Sequence, residues 1–168
     1  RAPGAVWSGG RTCVGRDTRA SGGLFENAAA SGLASVGVDV ARLGITPTPA
    51  AVRDADVHRR PGLVSTASHN PPEYNGVKLV GADGIELGVD RLETVEDHIL
   101  AEDFAIAAWD EVGAVDRVDA TNREYVAALL AAVDREAIAA ADLTVAVDPG
   151  HGAGALTSPE FFRRLGCD

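Results

Sequence analysis

Between residues 11 and 68, three short apolar runs, RTCVGRD, VDVARLG and GLVSTAS, alternate with two stretches of helical periodicity. The first stretch, SGGLFENAAASGLASVG, places apolar residues at Leu24, Phe25, Ala28, Ala29, Leu33 and Val36, a spacing that lines one face of a 3.6-residue helix. Ser21 is its expected N-cap and Gly37 the expected residue just past its C-terminus. The second stretch, TPTPAAVRDADVH, supplies a threonine cap and a proline near the first turn of a short helix. Strands joined through helices in this way lie parallel in one sheet. The expected class is α/β, a three-layer α/β/α arrangement around a mixed, mostly parallel sheet. Ser68 then falls just past the carboxyl end of the third strand, the edge at which open α/β sheets bind ligands.

Beyond the loop that holds Ser68, VKLVGADG reads as a strand, antiparallel because the return is short. GVDRLETVEDHILAED reads as an acidic surface helix and WDEVGAVDRVD as a short extended stretch. ATNREYVAALLAAVDREAIAAAD reads as one or two helices with Thr121 as cap. LTVAVDPGHGAGALTSPEFFRRLGCD reads as a new strand, a glycine-rich turn and a helix. This places a domain boundary near residue 140, with one domain over 1–140 and the opening strand, loop and helix of another over 141–168. A chain that opens on Arg1 and contains no methionine is expected to be a piece of a longer one.

Composition excludes some function classes. The formal net charge is -10, which argues against nucleic acid, whose binding depends on neutralising phosphates. No run of about 18 apolar residues suits a membrane span, and RAPGAVWSGG lacks the apolar core of a signal peptide. Cys13 and Cys167 have no CxxC companions, so metal binding through them is not expected and a reducing cytoplasm fits. The acidic, lysine-poor composition suggests a salt-adapted or GC-rich source.

The stretch STASHNPPEYNGVKL, residues 65–79, carries the chemistry. Ser, Asn, His and Pro are ordinary loop residues, and Asn-Gly favours a tight turn. Against that plain reading, Pro71 and Pro72 fix the path of the loop and remove two backbone donors, and a stiff loop preorganises what it displays. Lys78 is the only lysine in the chain; it could act as a compact charge near a phosphate or, with a lowered pKa, move protons. A serine hydrolase fits badly: no GxSxG elbow is present, and a histidine adjacent in sequence is not a triad.

TASHNPPEYNGVK, Thr66 to Lys78, resembles the phosphoserine loop of the α-D-phosphohexomutases, the phosphoglucomutase and phosphomannomutase family. VGRDTRASG, SGLASVGVDV, LGITPTPAAV and VAVDPGHGAGAL resemble further blocks of that family in the same order, and the NPPEYNG form is more like its phosphomannomutase/phosphoglucomutase branch than its phosphoglucosamine branch. The resemblance implies reversible phosphate transfer between C1 and C6 of a hexose phosphate. Ser68 would carry the phosphoryl group and pass it to the bound sugar through a bisphosphate. Lys78 matches the family lysine near the proton transfers, and His69 and Asn70 match the residues beside the phosphoserine. Thr66, Ala67, Asn70 and Arg16 would form the substrate and phosphate loop. The implied cofactor is Mg²⁺, held here by Ser68 through its phosphate, with its remaining ligands in an aspartate-rich loop outside this chain. The implied partners are hexose phosphates, hexose bisphosphate and the missing domains of the same protein. The GTSGIRG-like segment and the later sugar- and phosphate-binding loops are absent, so the chain alone is expected to be a poor catalyst or none. The alternative is a non-catalytic phosphosugar-binding or interaction module that retains the loop.

Three other motifs stay open. In GRDTR, Arg16, Asp17 and Arg19 would either form a structural ion pair and turn or support the phosphoserine region. DPGHGAG, Asp148 to Gly154, matches no nucleotide-binding glycine spacing and reads as tight strand–helix packing at a cleft. Asp54, Asp56, His58 and Arg59 read as a solvated helix face rather than a metal site.

Overall fold

A computed structural model describes residues 10–168; the segment RAPGAVWSG, expected not to be a signal peptide, lies outside the described residues. The chain runs β1 (Arg11–Arg16), α1 (Gly22–Ser35), β2 (Asp39–Ile45), α2 (Thr48–Val57), β3 (Gly62–Ser65), β4 (Val77–Val80), α3 (Val89–Leu100), β5 (Val115–Arg117), α4 (Thr121–Ala131), α5 (Arg135–Ala140), a 3₁₀ turn (Ala153–Leu156) and α6 (Ser158–Leu165). The five strands form one sheet in the order β4-β3-β1-β2-β5. β3, β1, β2 and β5 are parallel, and β4 is antiparallel to β3, as the mixed-sheet reading expects.

The period-two alternation of the strands sorts the core into two layers. Val14, Val40, Leu63 and Leu79 face Ala30 and Leu33 of α1 and Val95 of α3. Their neighbours Cys13, Ala41, Val64 and Val80 face Ala51 and Ala55 of α2. Val14, Val40, Val64 and Val80 are fully buried, each contributing about 1.5–3 kcal/mol of transfer free energy. A smaller cluster joins Val126 and Leu130 of α4 to Leu165 of α6. α3 buries only Val95, which fits an acidic surface helix.

The end of α1 is as expected. Gly37 takes φ +81°, its N–H reaches the Ala34 carbonyl, and Val38 N–H reaches Leu33, the paired bonds of a glycine-terminated helix. The expected caps at the other ends are not formed. Ser21 precedes α1 without a side-chain cap bond, and its hydroxyl accepts from Asn75. Pro47, not a threonine, occupies the cap position of α2, while the Thr46 hydroxyl donates to Asn122. Thr121 is the first residue of α4 rather than its cap and donates to Asp54. In each case a tertiary acceptor or donor outcompetes the local backbone, which a short polar side chain serves equally well. Residues 121–140 divide into two helices, and Asp134 caps the second by accepting from Ala137 N–H at 3.0 Å.

Two further expectations are corrected. LTVAV does not form a strand: it joins no sheet, and its ladder-like bonds are those of Asp168 N–H to Leu143 at 3.1 Å and of Val145 N–H to Asp168 at 2.7 Å. A strand requires a neighbouring ladder to satisfy its backbone. Asp54 does not lie on a solvated face. It is 3% exposed and receives Arg60 Nε and Nη2, each at 2.8 Å. No helix among the described residues is long and apolar enough to cross a membrane.

Candidate functional site

The loop from Thr66 to Gly76 opens at the carboxyl end of β3, beside the ends of β1 and β2. Its two stems are tied before it diverges. Thr66 N–H donates to the Gly76 carbonyl at 3.0 Å, and a Cβ on Gly76 would stand 2.9 Å from that Thr66 oxygen, so only glycine permits the approach. Asn75 knits the base. Its Oδ1 accepts from the Ser65 hydroxyl and from Gly76 N–H, both at 3.1 Å, and its Nδ2 donates to Ser21 at 2.8 Å. This is where the hydroxyl expected to cap α1 goes.

Ser68 stands exposed at the crown with φ +54°, a left-handed conformation that costs a non-glycine residue roughly 1–2 kcal/mol. A chain of bonds holds it there. Ser68 N–H donates to Thr66 Oγ1 at 3.1 Å, Thr66 Oγ1 donates to Asp17 Oδ2 at 2.8 Å, and the same carboxylate oxygen accepts Arg19 Nε at 2.9 Å. The remaining Arg19 donors close the loop. Nη1 reaches the carbonyls of Pro71 at 2.6 Å and Tyr74 at 3.1 Å; Nη2 reaches those of Ser68 and Asn70, both at 2.9 Å. A guanidinium has five N–H groups, and every one is engaged. Both readings of GRDTR therefore hold: Asp17 and Arg19 form the ion pair, and through it they support the Ser68 loop.

The loop forms one wall of a cleft of about 700 Å³, where Thr66, Ser68, His69 and Asn70 face Thr46–Thr48 and the glycine-rich turn Gly150–Gly154. DPGHGAG thus lines a cleft, as its reading expects, but the strand of the expected strand–helix packing is not formed. His151, at φ +57°, lies across from the loop. The motif is legible in the sequence as a cleft element, but nothing in its glycine spacing singles out the histidine. Ala67 lies behind the crown, half-buried, with its carbonyl taken by Asn70 N–H at 3.0 Å.

Two expected residues sit elsewhere. Arg16 donates through Nε to buried Glu26 at 3.0 Å and through Nη1 to the Asp17 carbonyl at 3.2 Å, and it lines a second cleft with Arg42. Lys78, paired with Val64 in the β3–β4 ladder, donates to Glu86 at 2.7 Å and is not in the lining of the Ser68 cleft.

The residues present do not make a metal site. Among the described residues no group of three or more His, Cys, Asp or Glu side chains could hold an ion. Asp17 is the carboxylate of the Ser68 cleft, and it is already committed to Arg19 and Thr66. The cysteines are free thiols.

The family model of the phosphoglucomutase/phosphomannomutase α/β/α domain I matches residues 4–106. A phosphoglucomutase/phosphomannomutase of Thermococcus kodakarensis is 46% identical over 156 residues, covering 92% of this chain and 34% of its own length. A phosphoglucosamine/phosphogalactosamine mutase of Sulfurisphaera tokodaii is 42% identical over 161 residues, covering 92% and 34%. Among solved structures, a phosphoglucomutase/phosphomannomutase family protein of Burkholderia thailandensis superposes with a TM-score of 0.77 at 29% identity, over 99% of this chain and 36% of that one. The chain therefore spans about a third of the length of the curated relatives it matches. The family match runs through β1 to β4, the Arg19 clamp and the Ser68 loop, and the chain belongs to the phosphoglucomutase/phosphomannomutase family, carrying its α/β/α domain I.

Proposed function

We propose that Ser68 is the phosphoryl carrier of a phosphohexomutase that interconverts hexose 1-phosphate and hexose 6-phosphate, with this chain supplying the donor part of the site. The observation that carries this reading is an exposed serine in a strained backbone state, fixed through its own carbonyl and N–H by Arg19 and Thr66. Phosphoryl transfer asks a protein chiefly for positioning and charge neutralisation, and covalent storage on serine divides one difficult transfer into two.

In the forward step the bond between Ser68 Oγ and phosphorus breaks as a sugar hydroxyl forms its own bond to that phosphorus. The hydroxyl proton leaves to a base and Oγ gains a proton. The bisphosphate turns over, and its other phosphoryl group returns to Ser68. His69 and Asn70, exposed beside Ser68, supply donors to the phosphoryl oxygens, while Lys78, bonded to Glu86 outside the cleft, is given no role in the transfer. The Mg²⁺ implied by the resemblance would neutralise phosphoryl charge, its carboxylate ligands coming from outside the described residues. The known names among the relatives extend to both hexose and hexosamine substrates, so the substrate class proposed is a hexose phosphate with a phosphoryl group at C1 or C6.

The test is mass spectrometry of the full-length protein that contains this domain, after incubation with a hexose 1,6-bisphosphate. One phosphate is expected on Ser68 and none in Ser68→Ala. Phosphate that never reaches Ser68, or that persists in Ser68→Ala, would overturn the reading.

A further inference from the structure

A second cleft, of about 570 Å³, opens between the carboxyl ends of β1, β2 and β5 and the start of α4. It collects the guanidinium groups of Arg16, Arg42 and Arg117 against the carboxylates of Glu26 and Asp119, an excess of positive charge in a chain of net charge -10. Arg42 and Arg117 are direct partners in the β2–β5 ladder. Like charges set side by side in this parallel pair repel, weakly where solvent screens Arg117, and leave positive potential at the mouth of the cleft.

The available counter-charges do not use up these donors. Glu26 is nearly buried and holds Arg16 at 3.0 Å and Arg42 at 3.4 Å on one oxygen, while its other oxygen accepts Gly44 N–H at 3.1 Å. Among the described residues, Asp119 receives only Arg117 Nε, at 2.5 Å. Arg42 Nε is itself shielded from solvent and has no hydrogen-bond partner among the described residues, a state that costs free energy for a charged donor. The first turn of α4 borders the same space without a side-chain cap. Thr121 and Asn122, which could have capped it, instead bond Asp54, Ile45 and Thr46.

We propose that this cleft is an anion site, separate from the Ser68 cleft, that takes a phosphoryl-sized dianion: inorganic phosphate or the phosphoryl group of a phosphomonoester. Forked guanidinium groups match phosphate oxygens. An anion between Arg42 and Arg117 relieves their repulsion and meets the open N–H groups of α4. The inference stands on this cleft alone and does not require Ser68 to carry phosphate.

The test is calorimetric titration of the protein with inorganic phosphate at low salt, repeated with glucose 6-phosphate. Inorganic phosphate is expected to bind one per chain. Arg117→Gln should weaken it about tenfold, the loss of one charge-assisted hydrogen bond, and Ser68→Ala should leave it unchanged. Arg117 is largely exposed, at 82%, so that variant keeps its fold even if Arg42→Gln does not. Glucose 6-phosphate binding with the same dependence on Arg117 identifies an organic monoester as a ligand; binding of inorganic phosphate alone identifies the free ion; either supports the site. Failure of both to bind, or equal affinity in Arg117→Gln and wild type, overturns it. Failure of the mutase reading would appear separately, as an unphosphorylated Ser68 with this titration intact.

Discussion

Arg60 and Arg19 are both nearly buried and both surrounded by acceptors, yet they hold different things. Arg60 meets one carboxylate in a fork, Nε and Nη2 on the two oxygens of Asp54, and that carboxylate also receives Thr121 at the start of α4. The pair ties together α2, the approach to β3 and α4. Arg19 meets one carboxylate and four neutral carbonyls, all four from the Ser68 loop. Loss of Arg60 leaves a carboxylate buried without its counter-charge. Loss of Arg19 leaves carbonyls at an exposed loop, where water replaces it. The first arginine therefore governs whether the chain folds, and the second which conformation one loop adopts.

The largest expected effect breaks the first arrangement. Arg60→Met strands Asp54 and should destabilise the chain by about 3–5 kcal/mol, read from urea unfolding, with phosphate on Ser68 unchanged per folded molecule. Replacing both partners with apolar residues, as in Asp54→Leu with Arg60→Met, should restore most of that stability. A loss below about 1 kcal/mol in Arg60→Met would place the pair among those that contribute little.

The second arrangement should show the opposite split. In Arg19→Lys, three donors on a flexible stem cannot span one carboxylate and four carbonyls. Ser68 loses its fixed orientation, and misplacement on the order of 1 Å costs about 100-fold in rate. Phosphate incorporation into Ser68 should fall by that order while unfolding free energy changes by about 1 kcal/mol or less. Equal losses in stability and rate would erase the distinction between the two arginines.

How much of this was legible in the sequence follows the range of each interaction. β1, β2 and β3 were readable because their apolar residues alternate between two buried layers, and Gly37 because a left-handed helix end favours glycine. The Ser68 loop was readable by its motif. The hydroxyls of Ser21, Thr46 and Thr121 were not, since their partners lie 54, 76 and 67 residues away, and a cap is the default only when nothing distant competes. Arg19 gave a local sign, its two-residue spacing from Asp17, but its four carbonyls lie 49 to 55 residues downstream. Asp54 looked like one charge among several on a polar helix, because its burial depends on Arg60 and α4 folding over it. Arg16 is named by motif and Lys78 by motif and by being the only lysine in the chain, and the structure seats both against glutamates outside the Ser68 cleft.

Cys13 sharpens the Arg60 side of the comparison through pH. It sits on β1 at 1% exposure, with its Sγ against Gly62, where a Cβ would stand 2.9 Å away. Burial pushes its thiol up from the ordinary 9.0 to about 12; the charge of Asp54 adds to the rise, and Arg60 opposes it. Between pH 9 and 12 the unfolded chain releases this proton while the folded chain keeps it. The unfolded state then binds fewer protons, so stability falls as pH rises, by about 1.4 kcal/mol per unit from this group. Below pH 9 both states hold the proton and the group contributes no slope. Wild type should therefore lose stability more steeply than Cys13→Ala across pH 9 to 11, by that difference in slope, whatever constant penalty the smaller side chain brings. In the native protein at pH 8, a thiol reagent should label half-buried Cys167 and leave Cys13 untouched until unfolding, since the thiolate is the reactive form. Parallel alkaline slopes for the two proteins would show that the thiol is not held in the desolvated layer beside Asp54.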